Sequence, residues 1–280
     1  MRPTSKFFSL ALCLLVPFGV AHGQSRLRLI AANSLVAPDL ADITSASSRY
    51  FSPEILSPGP ESLPRMAPEL ALARYQVRAH QQLTQMASYS AVTRISAELS
   101  DLNQSAEFEL QRHYSAPRSL QFTPIRFSGD DFVKHNVINR LLQQEVEHVE
   151  KDEAGKTAVV DENYKFSYRG DSEIDGHSVH VYQVKPRGKS ALAGLFKGKI
   201  YLDVFTGAMR RTEGVLVKSP SFFIRKIEFS SDYDDFAGFS LPVEVHSVAS
   251  TRALGKAVVN ISNHDYSFAP ASPLLAQTQP

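Results

Sequence analysis

The sequence predicts an α+β fold built on one antiparallel sheet, and three observations carry that reading. Apolar and polar residues alternate with period two through most of the chain from Tyr89 to Ile261, as in strands with one buried face. Turn signals such as Asp175-Gly176 and Thr206-Gly207 divide these runs at hairpin spacing. Helical periodicity occurs in only two places, before the first strand and after the third. Strands and helices therefore do not alternate, which disfavours a parallel sheet.

The elements follow in chain order. Arg2 and Lys6 precede an apolar run from Phe7 to Val20, and Ala21-His22-Gly23 supplies small residues for cleavage before Gln24, so residues 1–23 read as an export signal. The run is short for a membrane span of roughly 20 residues. Residues 24–67 lack a sustained period and become rich in Ser, Ala and Pro from Pro38 to Pro64, as in a tether. Pro68 suits a helical first turn, and Leu72, Tyr75, Ala79 and Leu83 keep one apolar face to about Met86. Tyr89, Ala91, Thr93, Ile95, Ala97 and Leu99 form the inward side of a first strand, and Ala106, Phe108, Leu110 and Arg112 that of a second. A third strand runs from Leu120 to Phe127 and bends at Pro124. Asp130 and Asp131 open a second helix with Phe132, Val137, Leu141, Leu142 and Val146 on its apolar side, its early acids suiting the positive end of the dipole. The remainder, from Tyr164 to Ile261, is strand signal, giving a meander of about nine strands before a frayed tail at 269–280.

Composition narrows the function classes. The 280 residues are 43% hydrophobic and 21% charged, which excludes disordered and collagenous chains. A formal charge of +1 supplies no field to hold a phosphate backbone, so nucleic acid is not an expected partner. Removing residues 1–23 takes away Arg2, Lys6 and no acid, leaving −1. It also removes Cys13, the single cysteine, so neither a disulfide nor a cysteine metal knuckle is available.

Catalytic signatures are missing: no GxSxG elbow, HExxH, Walker loop or GxGxxG occurs. No catalytic residue, cofactor or metal is expected. Glu145 and His148 have the spacing of half a carboxylate-bridged metal site, but no second copy exists, and with Glu147 and Glu150 beside them a solvated acidic helix face is the expectation. His177 and His180 lie three apart in a strand and point to opposite faces. Asp232-Tyr233-Asp234-Asp235 reads as an acid-capped turn, because Ala237 and Val243 stand where a calcium loop needs Gly and Glu. Lys185, Arg187, Lys189, Lys197 and Lys199 surround Leu192, Leu195 and Phe196. This is either a plain exposed loop or a basic apolar patch, centred on Lys189, Leu195, Phe196 and Lys197, that touches a membrane surface or partner.

The second half carries a resemblance. Asp175-Gly176-His177 to Val184-Lys185-Pro186, Gly198-Lys199-Ile200-Tyr201-Leu202-Asp203, Thr206-Gly207, Arg210-Arg211-x-Glu213-Gly214, Asp232-Tyr233 and Gly238-Phe239-Ser240-Leu241-Pro242 together resemble the LolA, LolB and RseB type of periplasmic lipoprotein-sorting domain. The resemblance covers about Pro68 to Phe268. It implies a strongly curved antiparallel sheet, an incomplete barrel, with helices covering the concave face. It further implies a cavity that holds lipoprotein acyl chains or another amphipathic lipid without covalent chemistry, in the periplasm or cell envelope. Phe108, Leu110, Phe122, Phe166, Ile200 and Leu202 are the candidate lining. An arginine that ties the helical lid is implied as well, with Arg112 and Arg118 as alternatives. The Ser- and Pro-rich stretch before Pro68 departs from a compact carrier. An interaction or sensor module on the same fold, with the cavity filled and an envelope protein as partner, is the other reading.

Overall fold

The computed structural model describes residues 64–187, 194–219, 222–252 and 255–268. The expected export signal with Cys13, the tether up to residue 63, Lys189, Leu192 and the tail lie outside these residues. Three strands, β1 (Ser88–Leu99), β2 (Gln104–Ser115) and β3 (Ser119–Gly129), form one meander. A second comprises β4 (Tyr164–Ile174), β5 (His177–Pro186), β6 (Phe196–Asp203), β7 (Met209–Leu216), β8 (Ile224–Phe236), β9 (Phe239–Thr251) and β10 (Lys256–Phe268). All pair antiparallel, in the order β3-β2-β1-β10-β9-β8-β7-β6-β5-β4. The α+β reading holds, with ten strands in place of about nine.

Alternation sets which side chains face inward. Tyr89, Ala91, Thr93, Ile95, Ala97 and Leu99 are all buried, as are Ala106, Phe108, Leu110 and Arg112, so both phases read from the sequence are correct. The Asp175-Gly176 turn has positive φ at both residues (49° and 79°), the conformation that joins strands without splaying them. Register shifts between Ser90 and Val92, Glu109 and Leu110, Tyr168 and Gly170, and Tyr201 and Leu202 bend and coil the sheet. At the β3 edge the shift coincides with Pro124, which has no N–H to offer another strand.

Topology explains why helices cover one face. Because β1 pairs with β10 (Leu99 opposite Ala257), the outer strands are β3 and β4. Strands lie ~4.8 Å apart, so a flat ten-stranded sheet would separate these edges by about 43 Å. The chain from Asp130 to Asn163 must cross that gap. It does so as α2 (Asp131–Val133), a π-helical turn (Lys134–Ile138), α3 (Asn139–Glu150) and the short α4 (Ala154–Thr157). The crossover buries Val133, Val137, Ile138, Leu141 and Leu142 in the same cluster as Ile95, Leu110, Ile200, Leu202 and Ile261 of the sheet.

The remaining cover is α1 (Pro68–Gln85), with Pro68 in its first turn and Glu69 at its positive end. It buries Ala71, Tyr75 and Gln82. The Tyr182 hydroxyl donates to the Pro68 carbonyl at 2.5 Å, and the Gln82 amide exchanges hydrogen bonds with the Ser240 backbone at 3.0 and 3.1 Å. The helix is thus fastened to β5 at one end and β9 at the other. Just before it, the Met66 N–H donates to the Val204 carbonyl at 2.8 Å and its carbonyl meets His180 Nε2 at 3.0 Å. Arg65 and Met66, counted with the tether from sequence, are therefore pinned to the folded unit.

Asp232 to Asp235 corrects another expectation. These residues belong to β8, not to a turn, with Tyr233 buried inward; the turn proper is Ala237-Gly238. The carboxylates are divided among arginines: Asp232 with Arg211, Asp234 with Arg210 and Asp235 with Arg78. Truncating a fully enclosed side chain in the shared cluster, Leu202→Ala, is expected to cost about 2–5 kcal/mol of unfolding free energy in urea titrations. A loss under ~1 kcal/mol would mean the face can collapse around the gap.

Candidate functional site

The crossover meets the sheet through one ion pair. Arg112 lies on the inward side of β2, in phase with Phe108 and Leu110, and reaches Glu145 of α3. Its Nη1 donates to Oε1 at 2.5 Å and its Nη2 to Oε2 at 2.9 Å, with both side chains about 5% exposed. The guanidinium sits 5.3 Å from the Phe122 ring centroid on β3. Burial opposes the Arg112 charge, but the Glu145 carboxylate outweighs that penalty and holds the guanidinium above its ordinary value. Burial also pushes the neighbouring phenols of Tyr89 and Tyr266 upward, so both stay protonated and neutral beside the pair.

This geometry separates the two arginine candidates. Arg118 is exposed and makes a single 3.3 Å contact with Asp152, the kind of surface pair that contributes little. The structure also corrects the reading of α3 as a solvated acidic face. Glu145 and His148 are buried on its inner side, while Glu150 is exposed and Glu147 pairs with Lys151 at 2.9 Å. His148 Nε2 lies 3.3 Å from Thr157 Oγ1, and Nδ1 lies 3.5 Å from Glu153 Oε2. Burial holds His148 below its ordinary value, against the opposing pull of Glu153.

Beside the ion pair, the crossover and the β3 edge leave a groove of about 420 Å³, lined by Phe108, Phe122, Pro124, Ile125, Phe127 and Leu142 with Arg126, Lys134 and Asn139. The π-helical turn begins at Lys134, whose ammonium lies 3.9 Å from the Phe127 centroid and 5.5 Å from that of Phe108. These are cation–π distances, so a cation covers an aromatic wall. A second cavity, of about 30 Å³ between Tyr75, Gln82, Val159, Tyr233 and Ser240, has room for water only.

Of the six candidate lining residues, Phe108 and Phe122 reach the groove. Leu110, Ile200 and Leu202 are fully enclosed in the packed cluster, and Phe166 packs against it from β4. Period two finds the inward face but not where the helices fill it.

The candidate surface patch divides differently. Leu195 and Phe196 are 2% and 0% exposed. Phe196 opens β6 facing the core, with ring centroids 5.5 Å from Tyr164 and 5.1 Å from Phe229. They belong to the interior and cannot form a contact patch. Lys197 alternates outward and is exposed, while Lys189 lies outside the described residues.

The histidines in β5 point to opposite faces, as their spacing requires. His180 is buried with Nδ1 2.5 Å from Asp171 Oδ1, whereas His177 is exposed. One cluster escaped the sequence reading: His80 on α1 converges with Asp161 and Glu162, these groups lying within 4.8 Å of one another. The His80 Nδ1 contact to the Gln76 carbonyl (2.8 Å) contributes most to raising its pKa, and Glu162, 3.2 Å from Nε2, adds to this. No helix among the described residues is long and apolar enough to cross a membrane.

Solved structures resemble this chain. A domain from Vibrio parahaemolyticus assigned to outer membrane lipoprotein sorting is 14% identical, with a TM-score of 0.39, covering 74% of this chain and 95% of its own. A DUF1329 family protein from Desulfovibrio piger is 10% identical (TM-score 0.38; 72% and 94% covered). The LolA superfamily protein NE2245 from Nitrosomonas europaea is also 10% identical (TM-score 0.35; 71% and 94%). No family model matches the sequence, and no curated protein does.

Two predictions follow from the pair and its neighbour. Arg112→Ala strands a buried carboxylate and is expected to cost about 3–5 kcal/mol, whereas Arg112→Met with Glu145→Leu is expected to recover most of that loss in a double-mutant cycle. For His148, a folded value below the usual 6.5 means that the unfolded chain binds the extra proton. Its contribution is complete above that value and is lost as pH falls below it. His148→Gln should flatten the decline in unfolding free energy between about pH 7 and 5.

Proposed function

We propose that this protein is an exported, non-enzymatic binding protein of the cell envelope that takes up a lipoprotein acyl chain, or another amphipathic lipid, between its helical crossover and the β3 edge. The observation that carries the reading is the apolar groove bordered by Phe108, Phe122, Ile125, Phe127 and Leu142, directly beside the Arg112–Glu145 pair. Apolar contact stabilises at roughly 25 cal/mol per Å² removed from water, so an acyl chain needs area and no bond-making group. Lys134 and Arg126 at the groove suit an anionic or carbonyl head at the mouth. Arg112 is the lock. Displacing α3 to enlarge the groove breaks the pair and exposes both charges to water, which gives loading and release an energetic threshold. Export is read from residues 1–23, with residues 24–63 as tether, 64–268 as the folded unit and 269–280 as tail.

A second reading rests on a specific observation: Leu110, Ile200 and Leu202 are fully enclosed, so the concave face is packed across its centre. A fold of this kind also serves as a protein-binding or sensor module with an envelope protein as partner. Lipid extraction of the purified protein with mass spectrometry, and displacement of a fluorescent fatty acid, separate the two. Acyl binding predicts a bound lipid and a probe affinity reduced about tenfold or more by Leu142→Gln in the groove wall. Absence of both lipid and probe binding, with an envelope protein recovered in a pull-down, would overturn it in favour of the second reading.

A further inference from the structure

We propose that one end of the sheet, at Val217 and Lys218, Phe222 to Arg225, Arg252 and Lys256, is a docking surface for a membrane of anionic phospholipid. Antiparallel order brings these residues side by side, and the Arg252 N–H donates to the Phe223 carbonyl at 2.8 Å to join them. At this junction Phe222 is the most exposed large apolar side chain of the described residues, at 75%, and Val217 of the same connection is 43% exposed. Phe222 is held outward. The Arg252 guanidinium lies 4.6 Å from its ring centroid, and Arg252 Nε donates to its carbonyl at 2.8 Å. An arginine stacked on an exposed phenylalanine matches a phosphate-bearing apolar boundary, where the ring enters the acyl region and the guanidinium meets headgroups.

The charge around the ring has one dominant sign. Lys218, Arg225 and Lys256 are exposed and form no ion pair among the described residues. Of the nearby carboxylates, Glu228 pairs with Lys226 at 2.7 Å, and the exposed Asp101 lies against Gly255, so cations outnumber acids at this junction. The local excess of cations around Phe222 suits a negative surface. This places the apolar contact on Phe222 and Val217, a site that the buried Leu195 and Phe196 cannot supply. The surface is separate from the groove and does not depend on acyl binding.

Sedimentation of the full chain with vesicles of phosphatidylglycerol and phosphatidylethanolamine, against pure phosphatidylcholine, tests the proposal. Binding should require the anionic vesicles and fall as salt rises. Each of Lys218→Glu and Lys256→Glu should weaken it about fivefold or more, given ~1 kcal/mol per basic residue at such a surface. Phe222→Ser should weaken it at unchanged charge, with the thermal midpoint preserved because the side chain is exposed. Leu142→Gln should leave vesicle binding intact, which keeps this test independent of the groove. Equal binding to phosphatidylcholine would overturn the proposal, as would indifference to these three variants. A concentration-dependent mass that Phe222→Ser abolishes would assign the face to a second copy instead and overturn it as well.

Discussion

The buried pair between Arg112 and Glu145 is the constraint around which the rest is arranged. A charged guanidinium on the inner face of a strand is tolerable only if a carboxylate meets it, and the crossover from β3 to β4 brings one. Phe122 and the neutral phenols of Tyr89 and Tyr266 complete a site with little water. The pair therefore fixes where α3 lies and how close it comes to β3. The groove is what remains on the far side.

The architecture follows from pairing order. Joining β1 to β10 leaves β3 and β4 as edges and obliges one long connection to cross the concave side, so the cover comes from topology and not from a separate layer of sequence. α1 completes the cover by spanning from Tyr182 to Ser240.

Much of this was legible in the sequence, and the failures have physical causes. Strand phase placed Phe108, Leu110 and Arg112 on one face, but the choice between Arg112 and Arg118 needed the Glu145 carboxylate that faces Arg112 in the fold. The partner Glu145 was read as surface because a run of charged residues on a helix is usually solvated, and only the facing arginine shows otherwise. Leu195 and Phe196 were misjudged because lysines on both sides suggested exposure, although alternation turns Phe196 inward and Lys197 outward. Whether inward residues line a groove or fill a core depends on how closely the crossover settles. That distance is set by side chains far apart in sequence and has no local signal.

The pairing of β1 with β10 has a consequence for the order of events in the chain's life. Tyr89 finds its partner Phe268 only after nearly the whole folded unit has been synthesised, so the sheet cannot be completed on a nascent chain. Until then the first meander keeps an open strand edge. Closure of the sheet therefore waits until both ends of the folded unit are present together, because its longest-range pairing joins one to the other.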